Sequence, residues 1–116
     1  MTETQIQSAI LKALKPIPGV KCWRANCGMV GHVRYGIPGQ GDISGIRRLF
    51  VDNGVYGRET IGQRIEVEVK TPTGKLSPKQ KAFGDMILEH GGLYIIARSM
   101  DDVLIALGYE EKPCED

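Results

Sequence analysis

The sequence has little of what staples small secreted domains together. Three cysteines (Cys22, Cys27 and Cys114) in 116 residues do not make a disulfide framework. Cys22 and Cys27 are separated by four residues and have no second ligand pair nearby, which excludes a zinc site. No apolar run approaches the ~20 residues needed to cross a bilayer. The opening MTETQIQSAILKALK has no basic-then-apolar pattern, so the expected setting is intracellular and cytoplasmic, with no membrane partner. The glycine-rich GMVGHVRYG lacks the Lys-Ser/Thr of a P-loop, so no nucleotide cofactor is expected. His32 and His90 have no nucleophile in a recognisable pattern around them. Aromatic residues are 6% of the chain, and the single tryptophan, Trp23, reads as a core or interface residue rather than a base-stacking platform.

What is present is ordinary in amount and uneven in placement. An apolar fraction of 41% and a charged fraction of 25% suit one globular domain over residues 1–116, with a polar tail at 109–116. The net charge is only +1. Residues 12–81, however, carry 13 Lys/Arg against 5 Asp/Glu, and residues 82–116 carry 2 against 8. A basic face backed by an acidic one would steer a polyanion, although scattered surface charge gives the same count.

Periodicity sets out the elements. Ile6, Ala9, Ile10, Ala13 and Leu14 mark a helix over 2–15, capped by Thr2 with Gln5 and stopped by Pro16 and Pro18. A short strand over 19–25 follows, and then residues 26–41, with five glycines and a proline, are mostly loop. A second strand starts at Asp42 and reaches toward Val51, and Asp52-Asn53-Gly54 is a turn. Residues 57–63 read as a polar connection, and RIEVEVK over 64–70 as the clearest strand. Ser77, Pro78 and Gln80 open a helix reaching about His90, which buries Ala82 or Phe83, Met86, Ile87 and His90 and ends at Gly91-Gly92. LYIIAR is the last strand, and Ser99 caps a short helix ended by Gly108. The fold class is therefore α/β, a small mixed sheet flanked by helices in the order αβββαβα.

The chemistry concentrates at the end of the RIEVEVK strand. Alternation places Glu66, Glu68 and Lys70 on one face, and Ile65, Val67 and Val69 on the core face. Glu66, one pleat further out, reads as a solvated strand residue. If the strand starting at Asp42 pairs antiparallel with this one, Asp42 lands beside Glu68. Two carboxylates that close repel, and a divalent cation relieves the repulsion. A neighbouring ammonium would stabilise the charge that builds on a phosphodiester under attack. Lys75, Lys79 and Lys81 cluster around the helix start at Ser77, a ready place for a phosphate. The same Glu-x-Glu-x-Lys pattern also describes the solvated face of any antiparallel sheet.

Four motifs in order, GQGDISG around Asp42, EVK at 68–70, GKLSPKQ at 74–80 and GGLYIIARS at 91–99, give residues 36–99 a further meaning. The segment resembles the VRR-NUC domain, a branch of the PD-(D/E)XK nuclease superfamily, in its stand-alone phage or bacterial form. The resemblance implies a restriction-endonuclease-like αβββαβα core and a Mg²⁺- or Mn²⁺-dependent DNA endonuclease. It further implies action on branched, Holliday-junction-like DNA and a bacterial or phage-infected host cell; one short domain engaging extended DNA is also expected to work as a homodimer. It implies Asp42 and Glu68 as metal ligands, the Val69 carbonyl as a third ligand and Lys70 as the catalytic lysine. Gln80 would lie near the lysine or the substrate, and Glu3 would complete the metal shell, or else be a favourable acid in a helix's first turn. Arg24 and Asn26 resemble the family's Arg-x-Asn and would contact the DNA backbone with Lys75, Ser77 and Lys79. Gly41 stands where the superfamily often has proline, and Gly84 where some branches have tyrosine. Two other functions fit the same residues: a non-catalytic nucleic-acid-binding or assembly module, and a nuclease whose specificity comes from a partner complex.

Overall fold

The computed structural model describes residues 1–25, 28–30, 33–52, 54, 55 and 57–109. The elements are α1 (Glu3–Leu14), β1 (Val20–Arg24), β2 (Gly28–Val30), β3 (Val33–Tyr35), β4 (Ile43–Asp52), β5 (Arg58–Val69), α2 (Pro78–Glu89), β6 (Leu93–Ala97) and α3 (Met100–Leu107). β1, β4, β5 and β6 form one sheet in that order, with β2 and β3 as a separate antiparallel pair. β1–β4 and β4–β5 are antiparallel, and β5–β6 is parallel, with α2 in the crossover between them. This is the expected mixed α/β architecture with one hairpin added.

One sheet face is apolar. Ile43, Ile65, Val67, Val69, Ile95 and Ala97 are buried there against Ile6, Ile10 and Leu14 of α1 and Val103 and Leu107 of α3. Both helices earn that position through their 3.6-residue apolar stripes. Thr2 and Gln5 form a complete capping box at the start of α1. α2 lies on the other face, over β5 and β6, with Phe83 edge-on to Tyr94 at 6.4 Å.

Several local expectations are corrected. Residues 26–41 are not simply loop, because the β2–β3 hairpin lies within them. Residues 57–63 are not a connection: β5 begins at Arg58, and every residue from there is paired with β4 out to Asp52. Backbone pairing outweighs the polar composition there. In α2 the buried residues are Phe83, Gly84 and Ile87, while Ala82 and His90 are exposed. Ser99 occupies the N-cap of α3 but makes no side-chain cap; Asp102 Oδ2 instead accepts from the Arg98 N–H at 2.8 Å. Trp23 is not core, being 47% exposed. Glu66 is not solvated, being fully buried. Asn26, Cys27, His32, Asn53, Cys114 and the tail beyond Tyr109 lie outside the described residues.

Candidate active site

The β4–β5 register decides the site. Ile43 pairs with Val67, so the next step along both strands sets Asp42 opposite Glu68. Backbone bonds continue to that step: the Asp42 N–H donates to Val67 O at 2.8 Å, and the Val69 N–H donates to Asp42 Oδ2 at 2.7 Å. Asp42 is thus fixed at both its main chain and its carboxylate. Gly41 immediately precedes it, and a Cβ there would lie 2.9 Å from Val67 O and 3.2 Å from Glu66 Oε2. The absence of proline at this position has a steric reason, since a ring would have to displace the β5 backbone.

Two acids share the α2 face of β5, and their surroundings separate them. Glu66 is fully compensated. Arg64 reaches its Oε1 through Nε at 2.9 Å and Nη2 at 2.7 Å, and the Ser44 hydroxyl donates from 2.9 Å. A buried acid so partnered is a structural ion pair. Glu68 is only 3% exposed, yet it is incompletely partnered. Its Oε1 accepts from Gln80 Nε2 at 2.8 Å and lies 3.5 Å from Lys70 Nζ. Its Oε2 is buried with no hydrogen-bond partner. Burial, and next the nearby Asp42 charge, push the Glu68 carboxyl up from 4.5 to about 7, against the opposing pull of Lys70. Glu3 contributes a smaller push in the same direction.

Gln80 serves two structures with one amide. Its Oε1 accepts from the Ser77 N–H at 2.8 Å and its own N–H donates to Ser77 Oγ at 3.2 Å, which completes the capping box of α2. Its Nε2 is left to donate to Glu68. The sequence shows both the cap and a place near the site for Gln80, but not that a single side chain does both. Tyr94, read from sequence only as part of a strand, reaches the same helix: its hydroxyl donates to Gln80 O at 3.4 Å. Burial and then the charge of Glu68 raise its phenol to about 12. Gly84 makes room for this ring, because a Cβ there would lie 2.5 Å from Tyr94 Cε2. Register alone would have flagged Tyr94, which pairs with Glu66 in the parallel ladder.

The remaining sequence candidates are distributed as follows. Lys75, Ser77 and Lys79 are exposed at the α2 start, beside Gln80. A close contact joins Gly39 to this end of the helix, where its Cβ would lie 2.3 Å from Lys79 O. Arg24 turns to the α1 side of the sheet, donating to Gln7 Oε1 and, at 2.7 Å, to Ser8 Oγ. Among the described residues no three or more His, Cys, Asp or Glu side chains come together in a way that could hold a metal ion, and the Glu3 charge reaches Glu68 as the smallest of the influences on its carboxyl. The thiol of Cys22 is pushed up to about 11 by burial and the charge of Glu66, which makes it a poor nucleophile.

The donor set suits a hard divalent cation. It offers carboxylate oxygens from two strands, one of them buried without a partner, beside a lysine. An α/β domain presenting paired acids and an ammonium at one end of its central strands has the equipment of a phosphodiester hydrolase. The family model described as VRR-NUC domain matches residues 55–101, from the end of the β4–β5 turn to the first turn of α3. That match bears out the resemblance read from the motifs and implies a nuclease, a hydrolase acting on DNA. The matched span contains Glu68, Val69, Lys70 and Gln80, while Asp42 and Glu3 precede it. No curated protein and no solved structure matches the chain. Among the described residues no helix is long and apolar enough to cross a membrane.

Proposed function

We propose that the chain is a divalent-metal-dependent DNA endonuclease that hydrolyses phosphodiester bonds. The observation that carries this reading is the Glu68 carboxylate, buried opposite Asp42 with one oxygen unpartnered and Lys70 3.5 Å from the other. Asp42 and Glu68, with the Val69 carbonyl, would hold Mg²⁺ or Mn²⁺. The bound ion supplies charge neutralisation and a more acidic water. Glu3, whose charge also reaches Glu68, would complete the metal shell directly or through water. Lys70 holds a positive charge beside the scissile phosphate and orients the attacking water. Gln80 fixes the Glu68 carboxylate through its amide N–H. Lys75, Lys79 and the helix start at Ser77 grip the DNA backbone. The Arg-x-Asn resemblance adds Arg24 and Asn26 as contacts to the DNA backbone, and Arg24 would make its contact outside the acid-bearing face, where it is held by Gln7 and Ser8.

The finer assignment, to branched Holliday-junction-like DNA, is supported by the motif resemblance, and a homodimer by the need of one short domain to engage extended DNA. Two copies related by a two-fold axis would address paired strands. Purified protein incubated with a four-way junction, a flap and plain duplex, each with Mg²⁺, Mn²⁺ or EDTA, tests all of this. Metal-dependent cutting with preference for the junction is expected. Binding without cutting under any metal would leave the non-catalytic module, and weak, indiscriminate cutting would leave the partner-directed nuclease.

A further inference from the structure

The second face of the sheet is only half covered. α2 packs on β5 and β6, leaving the same face of β1 and β4 without a helix among the described residues. Register and alternation put Trp23, Ile46, Arg48, Phe50, Arg58 and Arg64 on this side, the side of Glu66 and Glu68. Trp23, Ile46 and Phe50 are 47%, 45% and 56% exposed. Both aromatic rings lie under guanidinium groups. Arg64 is 6.0 Å from the Trp23 centroid, and Arg48 and Arg58 are 5.5 and 5.3 Å from that of Phe50.

The outer part of this face has no sheet behind it. β1 pairing stops at Val20–Arg47, and β6 pairing starts at Leu93–Ile65. Beyond those rungs, and past the Arg48 N–H bond to Gly19 O, β4 and β5 have no further strand beside them among the described residues, out to Asp52 and Arg58. A two-stranded ribbon in water gains little from its own packing. One that carries exposed rings roofed by arginines is suited to an external partner.

We propose that this ribbon face is a track for duplex DNA, continuous with the Asp42–Glu68 site, in which Arg48 and Arg58 hold the sugar-phosphate backbone. The inference rests on the nuclease reading and deepens it by assigning where the uncut part of the substrate lies. Charge favours DNA over a second copy of the chain. Lys21, Arg48, Arg58 and Arg64 share the face with four described acids, of which Asp42 and Glu68 form the site at its far end and Glu66 and Asp52 lie along the track. Glu66 is already paired with Arg64, and Asp52 Oδ1 accepts from the Gly54 N–H. Protein interfaces deplete charge at their centres, whereas exposed arginines held in place over aromatic rings suit the phosphates of a duplex. From Glu68 to the rung that carries Phe50 the strand spans ~26 Å, the length of roughly eight base pairs.

The test compares wild type with the double variant R48Q/R58Q, both with exposed side chains. Fluorescence anisotropy on a labelled 30-base-pair duplex in EDTA reads affinity across 50–200 mM salt. Loss of two phosphate contacts should weaken binding about tenfold and reduce the salt slope by about two. R48K/R58K should restore the slope, and the circular dichroism spectrum should be unchanged in both variants. Unchanged affinity and slope in a folded R48Q/R58Q protein would overturn the track. So would light scattering that shows the wild type as a dimer and R48Q/R58Q as a monomer, since the face would then serve self-association. The nuclease reading fails separately: a wild type that binds with the ribbon-dependent slope but cuts with no metal removes that reading and keeps the track.

Discussion

Replacing Glu68 with glutamine tests the site without needing any substrate. The folded carboxyl is raised from 4.5 to about 7, chiefly by burial. A group that binds its proton more tightly when folded contributes full stability below its unfolded pKa and loses it as pH rises through the folded value. The loss therefore runs from about pH 4.5 to about pH 7. Each tenfold in proton affinity is about 1.4 kcal/mol, so the ionised carboxylate costs about 3 kcal/mol by pH 8. In a domain of this size that is a melting shift of roughly 10 °C. Glu68→Gln keeps the shape and the Gln80 contact but removes the ionisation. Thermal melts in EDTA, followed by circular dichroism at pH 5 and pH 8, should show the wild type losing about that much more than the variant. Excess Mg²⁺ at pH 8 should return stability to the wild type and not to Glu68→Gln. Parallel pH profiles for the two proteins, with or without Mg²⁺, would refute the argument that an uncompensated buried charge marks the site.

Lys70→Ala should lower single-turnover cleavage by about 10²–10³-fold, and a variant that cuts as fast as wild type removes the assigned role. Gln80→Ala breaks the α2 cap and frees Glu68; it should cost about 1 kcal/mol in a denaturant melt and also slow cleavage, whereas Gln80→Glu should keep the cap acceptor but place a third negative charge beside Glu68 and weaken folding at pH 8. Gly39→Ala should destabilise by about 2–3 kcal/mol, because φ is +79° and the new methyl would meet the Lys79 carbonyl. An unchanged melting temperature would show that this loop does not press on α2.

Much of this site was legible because strand arithmetic is strict. An antiparallel pair that begins at Asp42 and ends near Lys70 can bring few residues opposite Glu68, and the observed register does place Asp42 there. The capping residues of α2 were legible for the same kind of reason, since Ser, Pro and Gln at fixed offsets leave one local geometry. The first half of β5 was not. Arg58–Gln63 is polar and contains a glycine, and only the partner strand makes it extended. Glu66 shows the other boundary. Alternation gives its face but says nothing of Arg64 and Ser44 closing over it. The orphan oxygen of Glu68 was equally hidden, because burial depends on helices that arrive from elsewhere in the chain.

The distance between the hairpin tip and the acids bears on how the chain tolerates change. Ten rungs separate the turn after Asp52 from the carboxylate end of the ladder. Sliding β5 by one position would set an aliphatic side chain across from Asp42, take Ile65, Val67 and Val69 out of the apolar core and bring Glu66 and Glu68 into it. The core therefore holds the pairing in place, and length variation at the tip is absorbed as extra loop before it reaches the acids. Gly54, with φ of +74° and open space where a Cβ would stand, is accordingly a natural graft point, where a tag or a foreign loop can be spliced in while the chemistry at the far end stays aligned.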